Sequence, residues 1–240
     1  MAELFAGTSG WAYPTWKPGF YPEKLAQSKF LAHYASRLNT VEVNYTFRHR
    51  LTEKTTQNWL AQTPPDFRFA FKAHQAITHF RQLRECAQLV SDFLAALNPF
   101  AAARKVGPVL FQTPPHLKCD VELLGEFVAV LPRSGHFAFE FRHESWFAAP
   151  VYDLLREHNL ALCMAESEKL EVPRIRTADF VYLRLRREPY DAASLAEISK
   201  QAREHVNSGA DVFAYFKHED DPMGALHAEL LLEGSSATLA

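Results

Sequence analysis

The sequence predicts a (β/α)8 barrel of the TIM type, on three observations. Strand-like runs recur eight times, segments with helical apolar spacing lie between most of them, and the 240 residues approach the roughly 250 that such a barrel uses. An open doubly wound sheet is the rival arrangement. It usually announces its ligand with a Gly-rich first turn. Here the first turn, Gly7-Thr8-Ser9-Gly10-Trp11, opens instead into a loop of Pro and aromatic residues. With no linker, repeat or low-complexity tract in view, residues 1–240 are expected to form one domain.

The strands are expected at 4–9, 40–47, 67–74, 108–112, 136–142, 160–166, 179–186 and 211–217, each rich in β-branched, aromatic or aliphatic residues. The helices between them show apolar stripes at three- and four-residue spacing. One carries Phe30, Leu31, Tyr34 and Leu38. The clearest carries Leu83, Cys86, Ala87, Val90, Phe93, Leu94 and Leu97. Two more carry Val121, Leu124, Phe127, Val128 and Leu131, and Leu195, Ile198, Ala202 and Val206. Ser28, Thr52, Asp120 and Asp191 stand where N-caps belong, and Gly209 stands where a helix stops. Between the sixth and seventh strands, residues 167–178 have little room for a helix, so a minimal crossover is expected there.

Composition narrows the function. The chain is 48% hydrophobic and 22% charged, which excludes wholesale disorder. Its 26 Lys and Arg against 28 Asp and Glu leave a net charge of -2, so it has no global basic footprint for nucleic acid. There is no Gly-rich phosphate loop. Cys86, Cys119 and Cys163 are odd in number and widely spaced, which argues against a disulfide scaffold or a zinc ribbon. Free thiols, no signal-like start and no apolar run of membrane-spanning length give the expectation of a cytoplasmic protein without membrane contact.

Alternation along the strands assigns their faces. One set is apolar and belongs against the helices: Phe67, Phe69, Phe71; Phe137, Phe139, Phe141; Val181, Leu183, Leu185; Val212, Ala214, Phe216; Val41, Val43, Tyr45. The other set points inward and becomes polar towards the strand C-termini, where barrel active sites lie. It comprises Glu42, Asn44, Lys72, His74, Gln112, Glu140, Arg142, Glu166, Arg184, Arg186, Tyr215 and Lys217. Buried charges must be paired or reach water. A structural ion-pair plug is therefore one reading of this set, and a functional mouth is the other. Beside the mouth, Trp11, Tyr13, Trp16, Phe20 and Tyr21 among Pro14, Pro18 and Pro22 form an aromatic cover or a stacking surface.

GTSGWAYPTW at 7–16, FYP at 20–22, LNTVEVNYTF at 38–47, FRFAFKAHQAITH at 67–79, FQTPP at 111–115 and FEFRHESW at 139–146 form an ordered series. It resembles the YecE-like family, also called domain of unknown function 72. The resemblance implies a TIM-type barrel, in agreement with the strand count, and no particular reaction. The likeness of that barrel to those of xylose isomerase and endonuclease IV is one of fold. The motif residues it carries over as site members are Trp11, Glu42, Asn44, Lys72, His79, Gln112, Glu140, Arg142, His143 and Trp146. Two places depart from the commonest pattern: Glu166 stands where many members have Asp, and the last strand ends Tyr215-Phe216-Lys217-His218-Glu219 rather than in an aromatic followed by paired Asn.

The chemistry follows from these residue types. A metal site needs three or four converging His or carboxylate ligands. The inward set offers His74 alone, with His79 and His143 just beyond, while Arg184 and Lys217 repel a cation. No metal and no cofactor are expected. Lys72, Arg142, Arg184 and Lys217 near Glu42, Glu140 and Glu166 suit a small anionic substrate, phosphorylated or carboxylated. The expected catalytic groups are Glu42, Lys72, Glu140 and Glu166. Trp11, Tyr13, Asn44, His74, His79, Gln112, Arg142, His143, Trp146, Arg184, Tyr215 and Lys217 are expected to bind substrate. Lys72 is read as an ion-pair partner of Glu42 or Glu140 ahead of an imine-forming amine. The function so read is a metal-independent lyase, isomerase or hydrolase. A nucleic-acid-binding or endonuclease-like barrel, with or without a metal, and a non-catalytic regulatory barrel are the alternatives.

Overall fold

The computed structural model describes residues 1–187, 189–217 and 221–236. These form eight parallel strands: β1 Leu4–Thr8, β2 Thr40–Val43, β3 Arg68–Lys72, β4 Val106–Gln112, β5 Phe137–Glu140, β6 Ala161–Ala165, β7 Phe180–Leu185 and β8 Asp211–Phe216. Around them run α1 Phe30–Ala35, α2 Glu53–Ala61, α3 Ala87–Ala95, α4 Asn98–Ala102, α5 Val121–Ala129, α6 Ala149–Glu157, α7 Ala192–Asn207 and α8 Met223–Ser236. The ladder passes from β2 through β3, β4, β5, β6, β7 and β8 to β1. The result is a nearly closed α/β barrel of the TIM type.

The seam between β1 and β2 is held by side chains. The Asn39 amide donates to Leu4 O at 2.8 Å and accepts from Ala6 N at 3.0 Å. The Tyr34 hydroxyl accepts from Thr8 N at 2.8 Å and donates to Thr40 O at 2.9 Å. The approach is close enough to require glycine: a Cβ on Gly7 would lie 2.0 Å from Thr40 O.

Parity along the strands produces two separate apolar layers. Phe67, Phe69, Phe71, Phe111, Phe137, Phe139, Val181 and Val212 belong to the outer layer between strands and helices. A smaller inner cluster contains Phe5, Ala70, Leu110, Ala138, Cys163, Phe180, Tyr182, Phe213 and Tyr215. Phe5 stacks on Phe213 at 4.6 Å near the strand N-termini and fills the barrel there. Small residues on β3, β5 and β6 (Ala70, Ala138, Ala161, Cys163) leave space for Tyr182 and Tyr215 at mid-height. Above that layer the inward residues are charged or polar, while at the opposite end the Arg68 guanidinium lies 5.7 Å from the Phe5 ring.

Thr52, Asp120 and Asp191 cap their helices, accepting from Thr55 N, Leu123 N and Ser194 N. Gly209 follows α7 with φ of +83°. Between β6 and β7, residues 166–179 contain no helix. Ser28 is a correction: it lies in the short 3-10 turn Gln27–Lys29, and Lys29 takes the N-cap position of α1 without a side-chain bond. The helix expected from Leu83 starts only at Ala87, because Gln82, Leu83 and Glu85 adopt positive φ of 49°, 70° and 49°. Leu83 and Cys86 are still buried, so the apolar stripe was real while the backbone was not helical. β2 ends at Val43 and β3 at Lys72, short of the expected ends, which changes the fate of Asn44 and His74. α8, a largely apolar helix after β8, was not foreseen. No described helix is long and apolar enough to cross a membrane.

Candidate functional site

The last inward residues of five strands meet at the C-terminal mouth in one hydrogen-bonded network, joined by Ser9 and Arg186 just past β1 and β7. On β3, Lys72 Nζ donates to Gln112 Oε1 of β4 at 2.9 Å. Gln112 Nε2 donates to Glu140 Oε2 of β5 at 3.0 Å. Arg184 of β7 forks between two carboxylates: Nη1 donates to Glu140 Oε2 at 2.5 Å and Nη2 to Glu42 Oε1 of β2 at 2.8 Å. Glu42 also accepts from Ser9 Oγ at 2.6 Å and from the Tyr182 hydroxyl at 2.7 Å. Arg186 Nη2 reaches Ser9 Oγ at 2.5 Å and Glu42 Oε1 at 3.3 Å. Arg142 stands at the rim with its side chain 46% exposed, its Nη1 3.7 Å from Glu140 Oε1. Strand register explains this convergence, since Gln112 is level with Glu140 and Ala165 is level with Arg184. The Ala at 165 leaves the volume that the guanidinium occupies.

Burial pushes the Glu42 carboxyl up. Arg184, Arg186, Ser9 and Tyr182 outweigh it and hold the pKa down at about 2. In Glu140, too, burial is outweighed, by Arg184, Gln112 and Arg142, and the pKa falls below the ordinary value. Both carboxyls are therefore ionised at neutral pH, and neither stores a proton there. Lys72 is different. Burial and then Arg184 hold its pKa down to about 8, against the opposing pull of Glu140 and Glu42. The Phe47 ring lies 4.1 Å from Lys72 Nζ on one side and meets the His79 ring edge-on at 4.9 Å on the other. Burial, Lys72, His116 and Arg142 together lower the His79 pKa below 6.5. Lys72 and Arg142 thus make the β3–β5 side of the mouth cationic.

Lys72 does not form the expected ion pair with Glu42 or Glu140. Its polar partner is the neutral Gln112 amide, because Arg184 has taken the facing oxygens of both carboxylates. Glu166 is directed elsewhere. It accepts from Arg186 N at 2.8 Å, Arg187 N at 2.9 Å and the Tyr190 hydroxyl, so it anchors the chain after β7. His74 lies past the end of β3. Its Nδ1 accepts from Ala76 N, and it lines a separate cavity of about 250 Å³ with Leu89 and Phe93. Asn44, Trp11 and Tyr13 line another cavity, of about 380 Å³, beside the mouth together with Trp59 and Gln62. His143 is tied into its own turn, accepting from Ser145 N. Trp146 is fully buried, stacked on Phe141 at 4.5 Å with its indole N–H on Leu117 O, and stands apart from the mouth. Tyr215 lies one layer below, its hydroxyl 2.9 Å from Thr40 Oγ1. Lys217 follows β8, its amide donating to Leu185 O. His218 and Glu219 lie outside the described residues.

Sequence reasoning did not select Arg186, Tyr182, Ser9 and Phe47 as site residues. Arg186 and Tyr182 carried a usable signal, the inward parity they share with Arg184. Ser9 carried the inward parity it shares with Phe5, whereas Phe47 carried none, since its role depends on which strands become neighbours. Among the described residues, no three His, Cys, Asp or Glu side chains are grouped so as to hold a metal ion. Four cationic heads, Lys72, Arg142, Arg184 and Arg186, face two carboxylates, Glu42 and Glu140, and such an excess attracts an anion.

The family model described as "Protein of unknown function DUF72" matches residues 5–238. The UPF0759 protein YunF of Bacillus subtilis (strain 168) is 29% identical over 156 residues, 62% of this chain and 54% of that protein. The UPF0759 protein YecE of Escherichia coli (strain K12) is 31% identical over 146 residues, 60% of this chain and 50% of that protein. The chain spans about half the length of the curated relatives it matches. Among solved structures, the DUF72 family protein TM1631 from Thermotoga maritima MSB8 superposes with a TM-score of 0.87 at 25% identity, over 98% of this chain and 99% of that one. The DUF72 family protein EF0366 from Enterococcus faecalis V583 superposes with a TM-score of 0.75 at 17% identity, over 99% and 98%, a likeness of fold.

Proposed function

We propose that this chain, which belongs to the DUF72 family, is a metal-independent enzyme that takes a small phosphorylated or carboxylated molecule into the C-terminal mouth of its barrel. The observation that carries this reading is the unequal use of the cations. Arg184 is consumed by Glu42 and Glu140, and Arg186 by Ser9 and Glu42. Among the described residues Arg142 has one ion-pair contact, at 3.7 Å, and a half-exposed head, and Lys72 has one hydrogen-bond partner, which is neutral. These two heads keep donors for a ligand, and a guanidinium presents a planar fork that matches a phosphate or carboxylate.

In this reading Arg184 is a positioning residue. It holds both carboxylates ionised, and Glu140 in turn sets the direction of Arg142. The carboxylate oxygens taken by guanidinium groups are unsuited to a metal ion, which supports chemistry without one. A cytoplasmic location is part of the proposal. It rests on three free thiols, at Cys86, Cys119 and Cys163, which suit a reducing compartment.

Arg142→Lys tests the reading. It keeps the charge and removes the fork, so phosphate or sulfate affinity is expected to fall about tenfold or more, about 1.4 kcal/mol. Calorimetric titration of both proteins, with a melting curve for each, is the measurement. Equal anion affinities with a lower melting temperature in the variant would leave the mouth as a salt-bridge plug.

A further inference from the structure

We propose that the Lys72 amine is a nucleophile that condenses with the carbonyl carbon of an anionic oxo compound whose charge is held by Arg142. This deepens the reading of the mouth as an anion site and rests on it. The placement of Lys72 is what an amine nucleophile needs and what a structural counter-ion does not. A counter-ion would stand beside a carboxylate, and among the described residues Lys72 forms no ion pair. The carboxylates nearest to it are otherwise engaged, Glu140 by Arg184 and Gln112, and Glu42 by Arg184, Ser9 and Tyr182.

The surroundings shift the amine towards its neutral form. The groups acting on Lys72 come from every side: Glu42 on β2, Gln112 on β4, Glu140 and Arg142 on β5, Arg184 on β7, and the Phe47 ring. Burial and two guanidiniums, Arg184 and Arg142, oppose a further positive charge. Gln112 Oε1 can accept one amine N–H and orient the nitrogen while its lone pair stays free. Burial and Arg184 hold the pKa at about 8, so roughly a tenth of the amine is neutral at pH 7. Lys72 is half-buried at the top of β3, where a ligand can reach it.

The condensation balances without an oxidant or a co-reactant. The nitrogen lone pair forms the C–N bond while the carbonyl oxygen takes up a proton. The nitrogen loses one proton to give a carbinolamine, then its second proton departs with the hydroxyl as water, and a C=N bond remains. The product, once protonated, withdraws electrons from the adjacent carbon, which suits lyase or isomerase chemistry.

Borohydride trapping tests this. The full chain is incubated at pH 7.5 with pyruvate, with dihydroxyacetone phosphate, or with uncharged dihydroxyacetone. The mixture is reduced, and the adduct is located by peptide mass spectrometry. The expected result is a reduced adduct at Lys72, formed with the anionic probes before the exposed Lys24 and Lys54 react. Arg142→Ala should cut labelling by the anionic probes about tenfold and labelling by dihydroxyacetone far less, since the uncharged probe loses only the guanidinium's effect on the amine. Lys72→Arg should abolish the adduct, with a melting curve to show that the variant folds. Labelling of Lys72 no faster than of Lys24 and Lys54 overturns the proposal. If phosphate still titrates into the wild type and is weakened in Arg142→Lys, the anion site survives without the amine chemistry. Equal labelling by charged and uncharged probes overturns the role given to Arg142.

Discussion

Replacing Glu42 by Gln keeps the shape of the side chain and removes the charge at the centre of the network. Its carboxyl ordinarily titrates at 4.5 and here titrates at about 2, because Arg184, Arg186, Ser9 and Tyr182 outweigh the effect of burial. A pKa lowered in the folded state stabilises the fold above the unfolded value, and the gain is lost as pH falls through the folded value. At roughly 1.4 kcal/mol per pH unit the gap is worth about 3 kcal/mol at neutral pH. Glu42 is 0% exposed, so solvent screening does not reduce the figure. In a chain of this size that corresponds to a melting temperature lower by about 6–12 °C. The assay is a pair of thermal or urea melts of wild type and Glu42→Gln, at pH 7 and again at pH 3. The stability difference should shrink to roughly 1 kcal/mol at pH 3, where wild-type Glu42 has lost most of its advantage. A difference of the same size at both pH values would show that Glu42 acts through shape and hydrogen bonding. No difference at pH 7 would show that the guanidiniums do not hold it charged.

Two further outcomes are expected. Gly7→Ala places a Cβ 2.0 Å from Thr40 O and 2.7 Å from the Tyr34 hydroxyl, so the β1–β2 seam must open at a cost of about 3 kcal/mol. Gly125→Ala on α5, whose Cβ would meet only Leu154 Cδ1 at 3.6 Å, is the control; equal melting curves for the two variants would refute this account of the seam. The His79 imidazole, followed by NMR titration, should have a pKa below 6.5, held there by burial, Lys72, His116 and Arg142. Lys72→Met removes one of these cations and should raise it, and an unchanged value would mean that Lys72 lies elsewhere.

Much of this architecture is legible in one dimension because side chains on a strand alternate with period two. That rule alone separates Phe67, Phe69 and Phe71 from Ala70 and Lys72, and Phe137 and Phe139 from Ala138 and Glu140. The structure returns the same division as two distinct apolar layers. The rule fails where a strand stops. His74 and Asn44 continue the inward count, yet β3 ends at Lys72 and β2 at Val43, and both side chains line cavities outside the network. Leu83 fails for a related reason: apolar spacing reports burial, and its φ of +70° is a backbone state that spacing does not encode.

The sequence by itself determined which residues face the barrel interior as far as each strand runs, because that follows from strand periodicity. Only the tertiary structure decided which of the charges among them pair. Arg184 could have served either carboxylate, and it serves both because the fold brings Glu42 and Glu140 within 2.8 and 2.5 Å of its two terminal nitrogens. That choice satisfies Glu42 and Glu140, leaves Lys72 with a neutral amide and frees Arg142 at the rim. Glu166 has the same charge and parity as Glu140, and it turns instead to Arg186 N, Arg187 N and the Tyr190 hydroxyl. Pairing depends on distances between strands far apart in the chain, and those distances exist only once the ring has nearly closed.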